Sequence, residues 1–271
     1  MCAYASEKRT GMRIVVKIGT STLAHPTGRL NIRLVEELVK VLSDIRNAGH
    51  ELVLVSSGAI GMGAGKMMLK EKPSDIATKQ AAAAVGQCEL MYTYDKLFDE
   101  YRYMVGQILV TASDIEDEQK KQNFQNTIFK LLECKVIPIV NENDTVSTFE
   151  INSIGDNDTL AAIVAVNCKA DLLILLSDIE GLYTGDPHMD ESAKLITSVY
   201  EITPEIEALA GGAGNLGTGG MATKIGAAKL VCENGIDMII ANGSKPTLLY
   251  ELMRGCPVGT RFFAEKHYEH R

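Results

Sequence analysis

From Arg13 onward, short aliphatic runs alternate with longer segments whose apolar residues recur at helical spacing, and nothing else in the chain restricts its fold as tightly. Arg13 to Ile18 reads as a buried strand closed by Gly19. Asn31 to Asn47 reads as an amphipathic helix with Val35, Leu38, Val39, Leu42 and Ile45 on one side, Asn31 as N-cap and Gly49 as stop. Glu51 to Val55 follows as a strand. The pattern then predicts a glycine- and methionine-rich stretch from Gly58, a long helix over Ser74 to Tyr101 broken near Gly86, and a strand over Met104 to Val110. Further helices are expected over Gln119 to Cys134, Asp156 to Asn167, Pro204 to Leu209, Lys224 to Glu233 and Thr247 to Met253, with strands over Val136 to Val140, Asp171 to Leu176 and Asp237 to Ala241. Strand–helix alternation on this scale implies right-handed βαβ crossovers. The expected fold is α/β, a three-layer αβα sandwich around a mostly parallel central sheet.

Composition agrees with that frame. Hydrophobic residues make up 46% of the 271, aromatics only 6%, and tryptophan is absent, so the core is aliphatic, as suits parallel strands covered on both faces. A net charge of -8 argues against nucleic acid or an anionic membrane as partner. The six cysteines are scattered without a C-x-x-C pair and read as free thiols. No apolar run reaches the roughly 20 residues that cross a bilayer, and no secretory signal precedes Met12, so a soluble, cytoplasmic chain is expected. Residues 1–11 are polar and are expected to form a disordered N-terminal extension. Residues 12–265 carry no repeat or linker and read as a single domain, with an N-terminal lobe for one ligand and a C-terminal lobe for the other.

The densest chemical signal is Gly217-Thr218-Gly219-Gly220-Met221-Ala222-Thr223-Lys224, which packs three glycines, two hydroxyls and a lysine into a turn opening a helix. Bare backbone, a helix N-terminus and an ammonium group all favour phosphate. The order is not that of a Walker A loop, because Thr223 precedes Lys224 and no glycine stands before the lysine. Lys17 sits inside an aliphatic strand that leads into Gly19-Thr20-Ser21; a lysine within a buried strand is costly unless it is paired, whereas one at the strand end would reach solvent. Ser56-Ser57-Gly58 closes the second strand without forming a serine-hydrolase elbow. Gly61, Gly63 and Gly65 do not fit a dinucleotide fingerprint, and loop flexibility accounts for them. Asn141-Glu142-Asn143-Asp144 and Gly155-Asp156-Asn157-Asp158 offer carboxylates and amides that could orient lysines, hold an amino group or meet Mg²⁺. None of the five histidines lies in a metal-ligand pattern or beside a nucleophile. A phosphoryl acceptor that is already ionised, such as a carboxylate with a pKa near about 4.3, needs no general base.

Taken in order, Val15 to Ser21, Val55 to Ile60, Asn141 to Asp144, Ile154 to Asp158 and Leu216 to Met221 resemble the motifs of the amino-acid kinase family, in its glutamate-phosphorylating branch, over Met12 to Phe263. The resemblance implies that Lys17 and Lys224 flank the transferred phosphoryl group while Asp158 orients them. It implies that Ser57, Asp144 and Asn157 bind L-glutamate. Lys17, Ser177, Asp178, Thr218, Gly219, Gly220, Met221, Ala222, Thr223 and Lys224 would contact ATP, with Mg²⁺ as its counterion and no dedicated protein metal site. The product would be γ-glutamyl phosphate, on the route to proline. The same likeness implies a homo-oligomer, dimer or tetramer, feedback inhibition by proline, and hand-off of product to glutamyl phosphate reductase. Many bacterial members add a C-terminal domain resembling RNA-binding modules; with Arg271 soon after the kinase region, no such domain is expected, and the chain could be the kinase half of a bifunctional synthase. Family members acting on acetylglutamate, aspartate, carbamate or UMP stay open as alternatives, as does a non-catalytic nucleotide or amino-acid sensor.

Overall fold

A computed structural model describes residues 11–25, 27–71, 73–147, 157–185, 192–210 and 220–264. Their strands join in one sheet of eight. In chain order these are β1 (Arg13–Ile18), β2 (Glu51–Val55), β3 (Val105–Val110), β4 (Ile137–Glu142), β5 (Leu172–Ser177), β6 (Ser198–Val199), β7 (Asp237–Asn242) and β8 (Thr260–Phe262). Across the sheet the order is β3-β4-β2-β1-β5-β7-β8-β6. Every pairing is parallel except β7 with β8. The inner strands are short runs of Val, Ile and Leu because both faces are covered, so each side chain finds apolar contact whichever way it points.

The helices are α1 (Thr20–Leu23), α2 (Ile32–Asn47), α3 (Ala59–Lys66), α4 (Ile76–Asp99), α5 (Ala112–Glu116), α6 (Glu118–Glu133), α7 (Asn157–Asn167), α8 (Pro204–Leu209), α9 (Met221–Glu233) and α10 (Leu248–Met253). They divide between the two faces, and alternation along β1 shows how. Ile14, Val16 and Ile18 face a core built with α2 and α4, through Leu38, Leu42, Leu90, Tyr94 and Phe98. Val15 faces the opposite core, with α6, α7 and α9, through Ile128, Leu160, Val164, Ala228 and Val231. The result is the expected αβα sandwich. The expected boundaries hold closely for β1, β2 and α8, and Asn31 caps α2 by accepting a hydrogen bond from the Leu34 N–H at 3.3 Å.

Several expectations are corrected. The glycine-rich stretch after Gly58 is not a loop but α3, and α4 runs unbroken through Gly86. A Cβ on Gly63 would sit 1.7 Å from the Ala82 carbonyl oxygen, and one on Gly86 would sit 1.8 Å from that of Ala59. These glycines let two helix backbones touch, so their role is absence of a side chain rather than flexibility. The short strands β6 and β8 were not legible, nor were α1 and α5. His50 is buried, and its desolvation lowers its imidazole pKa.

The helix contact makes a prediction. Alanine ordinarily stabilises a helix interior relative to glycine by up to about 1 kcal/mol. At Gly63 and Gly86 the clash is with backbone, which cannot rotate away, so Gly63→Ala and Gly86→Ala are expected to cost a net ~2 kcal/mol or more in urea unfolding. Gly226, in α9, has nothing among the described residues within 4 Å of a Cβ, and Gly226→Ala is expected to be neutral or stabilising.

Candidate functional site

Strand order reverses at β1. Beyond it on one side lie β2, β4 and β3, and on the other β5, β7, β8 and β6. In such sheets the crevice for ligands opens at the carboxyl ends of the strands flanking the reversal. Lys17 stands there, opposite Val55 on β2 and Leu175 on β5. It shares the sheet face of Val15, so its side chain rises toward α7 and α9 rather than toward α2.

Asp158, in the first turn of α7, is 0% exposed, Lys17 6% and Lys224 4%. The Lys17 Nζ lies 2.6 Å from Asp158 Oδ1, and Lys224 Nζ donates to Oδ2 at 2.9 Å. Three separate segments thus meet on one carboxylate. Burial by itself pushes the Asp158 carboxyl up, but the two ammonium groups outweigh it and hold the group below the usual range. Asp158 is therefore ionised, and the three groups together carry one net positive charge. Lys224 belongs to α9, whose first residue is Met221. Gly19 lies beside Lys17: a Cβ there would make ordinary contacts with Lys17 Nζ at 3.7 Å and with the Leu176 carbonyl oxygen and Ser21 Oγ at 3.9 Å.

On the β2–β4 side an amide cluster lines the same edge. Asn157 Nδ2 shares its two N–H groups among three acceptors, the Ser56 carbonyl at 2.7 Å, Ser57 Oγ at 2.6 Å and Asn141 Oδ1 at 3.1 Å. Gly58, with φ of +96°, turns the chain sharply from β2 into α3 and leaves Ser57 on the rim. Asp144 follows β4. Burial first, and then the neighbouring Glu142 charge, raise its carboxyl pKa to about 7.

On the β5 side, Ser177 Oγ donates to Asp178 Oδ1 at 3.0 Å. Ser177 is buried and Asp178 is exposed. Gly220, Met221, Ala222 and Thr223 form the entry of α9, where Thr223 Oγ1 donates to the Gly220 carbonyl at 2.8 Å. Thr218 and Gly219, with Gly217, Gly155 and Asp156, lie outside the described residues. The expected residues therefore fall into three groups: an amide and acid cluster past β2 and β4, a charged centre on β1, α7 and α9, and a hydroxyl and acid pair past β5. Sequence reasoning missed Gln87, whose Oε1 accepts from Asn141 Nδ2 at 2.9 Å, and Tyr94, whose hydroxyl lies 3.0 Å from Ser56 Oγ. Among the described residues no group of three or more His, Cys, Asp or Glu side chains is placed to hold a metal ion. No described helix is long and apolar enough to cross a membrane.

Comparison with known proteins gives a consistent result. The sequence pattern of the Amino acid kinase family matches residues 12–242. A glutamate 5-kinase of Clostridium perfringens is 55% identical over 258 residues, covering 94% of this chain and 96% of that protein. A glutamate 5-kinase of Clostridium acetobutylicum is 54% identical over 92% of this chain and 94% of its own length. The solved structure of carbamate kinase from Giardia lamblia bound to AMP-PNP shares the fold, with a TM-score of 0.65 at 16% identity, covering 93% of this chain and 98% of that one.

Asp144 yields a pH prediction. A carboxyl with a raised folded-state pKa holds its proton longer in the folded than in the unfolded chain, so stability falls as pH climbs from about 4 through about 7. Asp144→Asn removes that loss. Thermal melts are expected to show the variant more stable than the parent at pH 8, on the order of 1–3 kcal/mol, with the gap closing by pH 4.

Proposed function

The chain belongs to the amino acid kinase family, and on that premise we propose that it transfers the γ-phosphoryl group of ATP to the side-chain carboxylate of L-glutamate, the first step of proline biosynthesis. The observation that carries the chemistry is the meeting of Lys17 and Lys224 on the single Asp158 carboxylate. A fixed pair of ammonium groups held on one carboxylate suits a reaction in which negative charge spreads over a phosphoryl group moving between two anions. Asp158 holds both lysines in place before substrate arrives, so little reorganisation remains at the moment of transfer. The acceptor carboxylate is ionised at neutral pH, with a pKa near about 4.3, so no side chain has to remove a proton.

The division of the crevice supports the assignment of ligands. Ser57 and Asn157 offer a hydroxyl and an amide to the acid, and Asp144 a carboxylate to its α-ammonium group. Lys17, Ser177, Asp178 and Gly220 to Lys224, with Thr218 and Gly219, are assigned to the nucleotide. The α9 N-terminus, with Lys224 in the same helix, fits a phosphate. Both Asp158 oxygens are engaged by lysines, and no described acidic cluster forms a cage, so Mg²⁺ would be held chiefly by phosphate oxygens, where it neutralises charge. The same reading extends to a homo-oligomer, to feedback by proline, and to a glutamyl phosphate reductase that consumes the acyl phosphate.

Hydroxylamine traps acyl phosphates and gives the test. With ATP and Mg²⁺, glutamate is expected to yield hydroxamate, while aspartate, acetylglutamate, carbamate and UMP give little turnover. Turnover on one of those acceptors but not on glutamate would overturn the assignment. Lys17→Ala and Lys224→Ala are each expected to lower kcat about 10²–10³-fold while retaining the parent far-UV circular dichroism.

A further inference from the structure

Helix α4 carries three polar side chains at seven-residue spacing, Gln80, Gln87 and Tyr94. Seven residues are about two helical turns, so the three lie along one stripe. Each reaches the edge assigned above to the acid. Gln80 Nε2 donates to the Ser147 carbonyl at 3.4 Å, Gln87 Oε1 accepts from Asn141 Nδ2, and the Tyr94 hydroxyl meets Ser56 Oγ. The middle contact is the most constrained. Gln87 is only 8% exposed, and its Nε2 is buried with no hydrogen-bond partner among the described residues. An apolar side chain would avoid leaving that donor unmade, yet the position keeps an amide whose oxygen is in use.

That oxygen begins a chain of fixed direction. The Glu142 backbone N–H donates to Asn141 Oδ1 at 2.9 Å, and a backbone N–H can only donate, so Asn141 must turn its Nδ2 toward Gln87. The Ser56 backbone carbonyl can only accept, so Asn157 must turn its Nδ2 toward it. The same Nδ2 approaches Ser57 Oγ and occupies one of the hydroxyl's acceptor positions, which leaves the Ser57 proton to be given elsewhere. From Gln87 to Ser57 each amide has one orientation, and at the end stands a hydroxyl prepared to donate to an anion.

We infer that Gln87 is a positioning residue for the acid substrate, bracing Asn141 and, through Asn141 and Asn157, the placement of Ser57. It touches neither reacting group. The inference rests on the assignment of that rim to glutamate, and it predicts a separation of kinetic constants that loss of packing would not produce. Gln87→Met keeps the length and apolar contacts of the side chain and removes the oxygen. Gln87→Glu keeps an oxygen toward Asn141 and removes the orphaned donor.

The test is steady-state ADP formation by the full chain, varying glutamate and ATP in turn, with a thermal melt on each variant. Gln87→Met is expected to raise the KM for glutamate about tenfold, with the KM for ATP within twofold and kcat within about threefold. Gln87→Glu is expected to restore most of the glutamate KM. In an Asn157→Ala background, Gln87→Met should add no more than about twofold, because the link it works through is already cut. Should Gln87→Met fail to fold, Asn141→Asp carries the test: it sets two oxygens face to face at the same link and is expected to give the same split. A glutamate KM within twofold of the parent, an equal rise for both substrates, or full additivity with Asn157→Ala would overturn the inference. Absence of glutamate-dependent turnover in the parent chain would count against the proposed reaction instead.

Discussion

A carboxylate with no solvent exposure, gripped by two nearly buried ammonium groups, is the constraint that the rest of this molecule is arranged around. As a contribution to stability it is poor. Removing each ion from water costs several kcal/mol, and mutual attraction repays this only when geometry is good on both sides. Asp158 has each of its oxygens engaged by one of the two ammonium groups. Such a centre is retained for what it attracts. Its cost has to be met by the two aliphatic cores on either face of the sheet, where β1 and β5 bury nearly every side chain. The sheet therefore does two things for the site. It supplies the burial that offsets a costly charge cluster, and through parallel register it delivers the ends of β1, β2, β4 and β5 to one edge.

Much of this was readable before any coordinates. Lys17 stands out because a charge following Val15 and Val16 has to be paired, and acids at strand and helix ends are the groups able to pair it. Alternation of aliphatic runs with helical periodicity gave the layers. The glycines after Gly58 misled, because a glycine looks the same in a sequence whether its freedom or its missing Cβ is in use. Only the closeness of the Ala82 and Ala59 carbonyls separates the two cases. Gln87 and Tyr94 escaped notice for a related reason: a polar residue in an alanine-rich helix reads as solvent-facing. Their seven-residue spacing with Gln80 was the available signal, and a search for polar rather than apolar periodicity would have found it. The short strands β6 and β8 lie toward one edge of the sheet, where two or three residues of pairing leave almost no pattern.

The two unforeseen features turn out to be one. Gly86, where α4 touches the first residue of α3, is the neighbour of Gln87, and α3 begins two residues after Ser57. One helix crossing thus sets both ends of the amide chain: Ala59 against Gly86 fixes the height of α4, and Gly58 turns Ser57 onto the rim. The bond from Asn141 to Gln87 is 2.9 Å long, and displacement of α4 by about half an ångström would carry it past the range in which such a bond is strong. Bulk at the α3–α4 contact should therefore reach the acid subsite through geometry, without altering a single group that meets substrate. The close backbone contact is in this sense part of the binding site, and its glycines are held there by the position of an oxygen on the adjoining residue as much as by the packing of two helices.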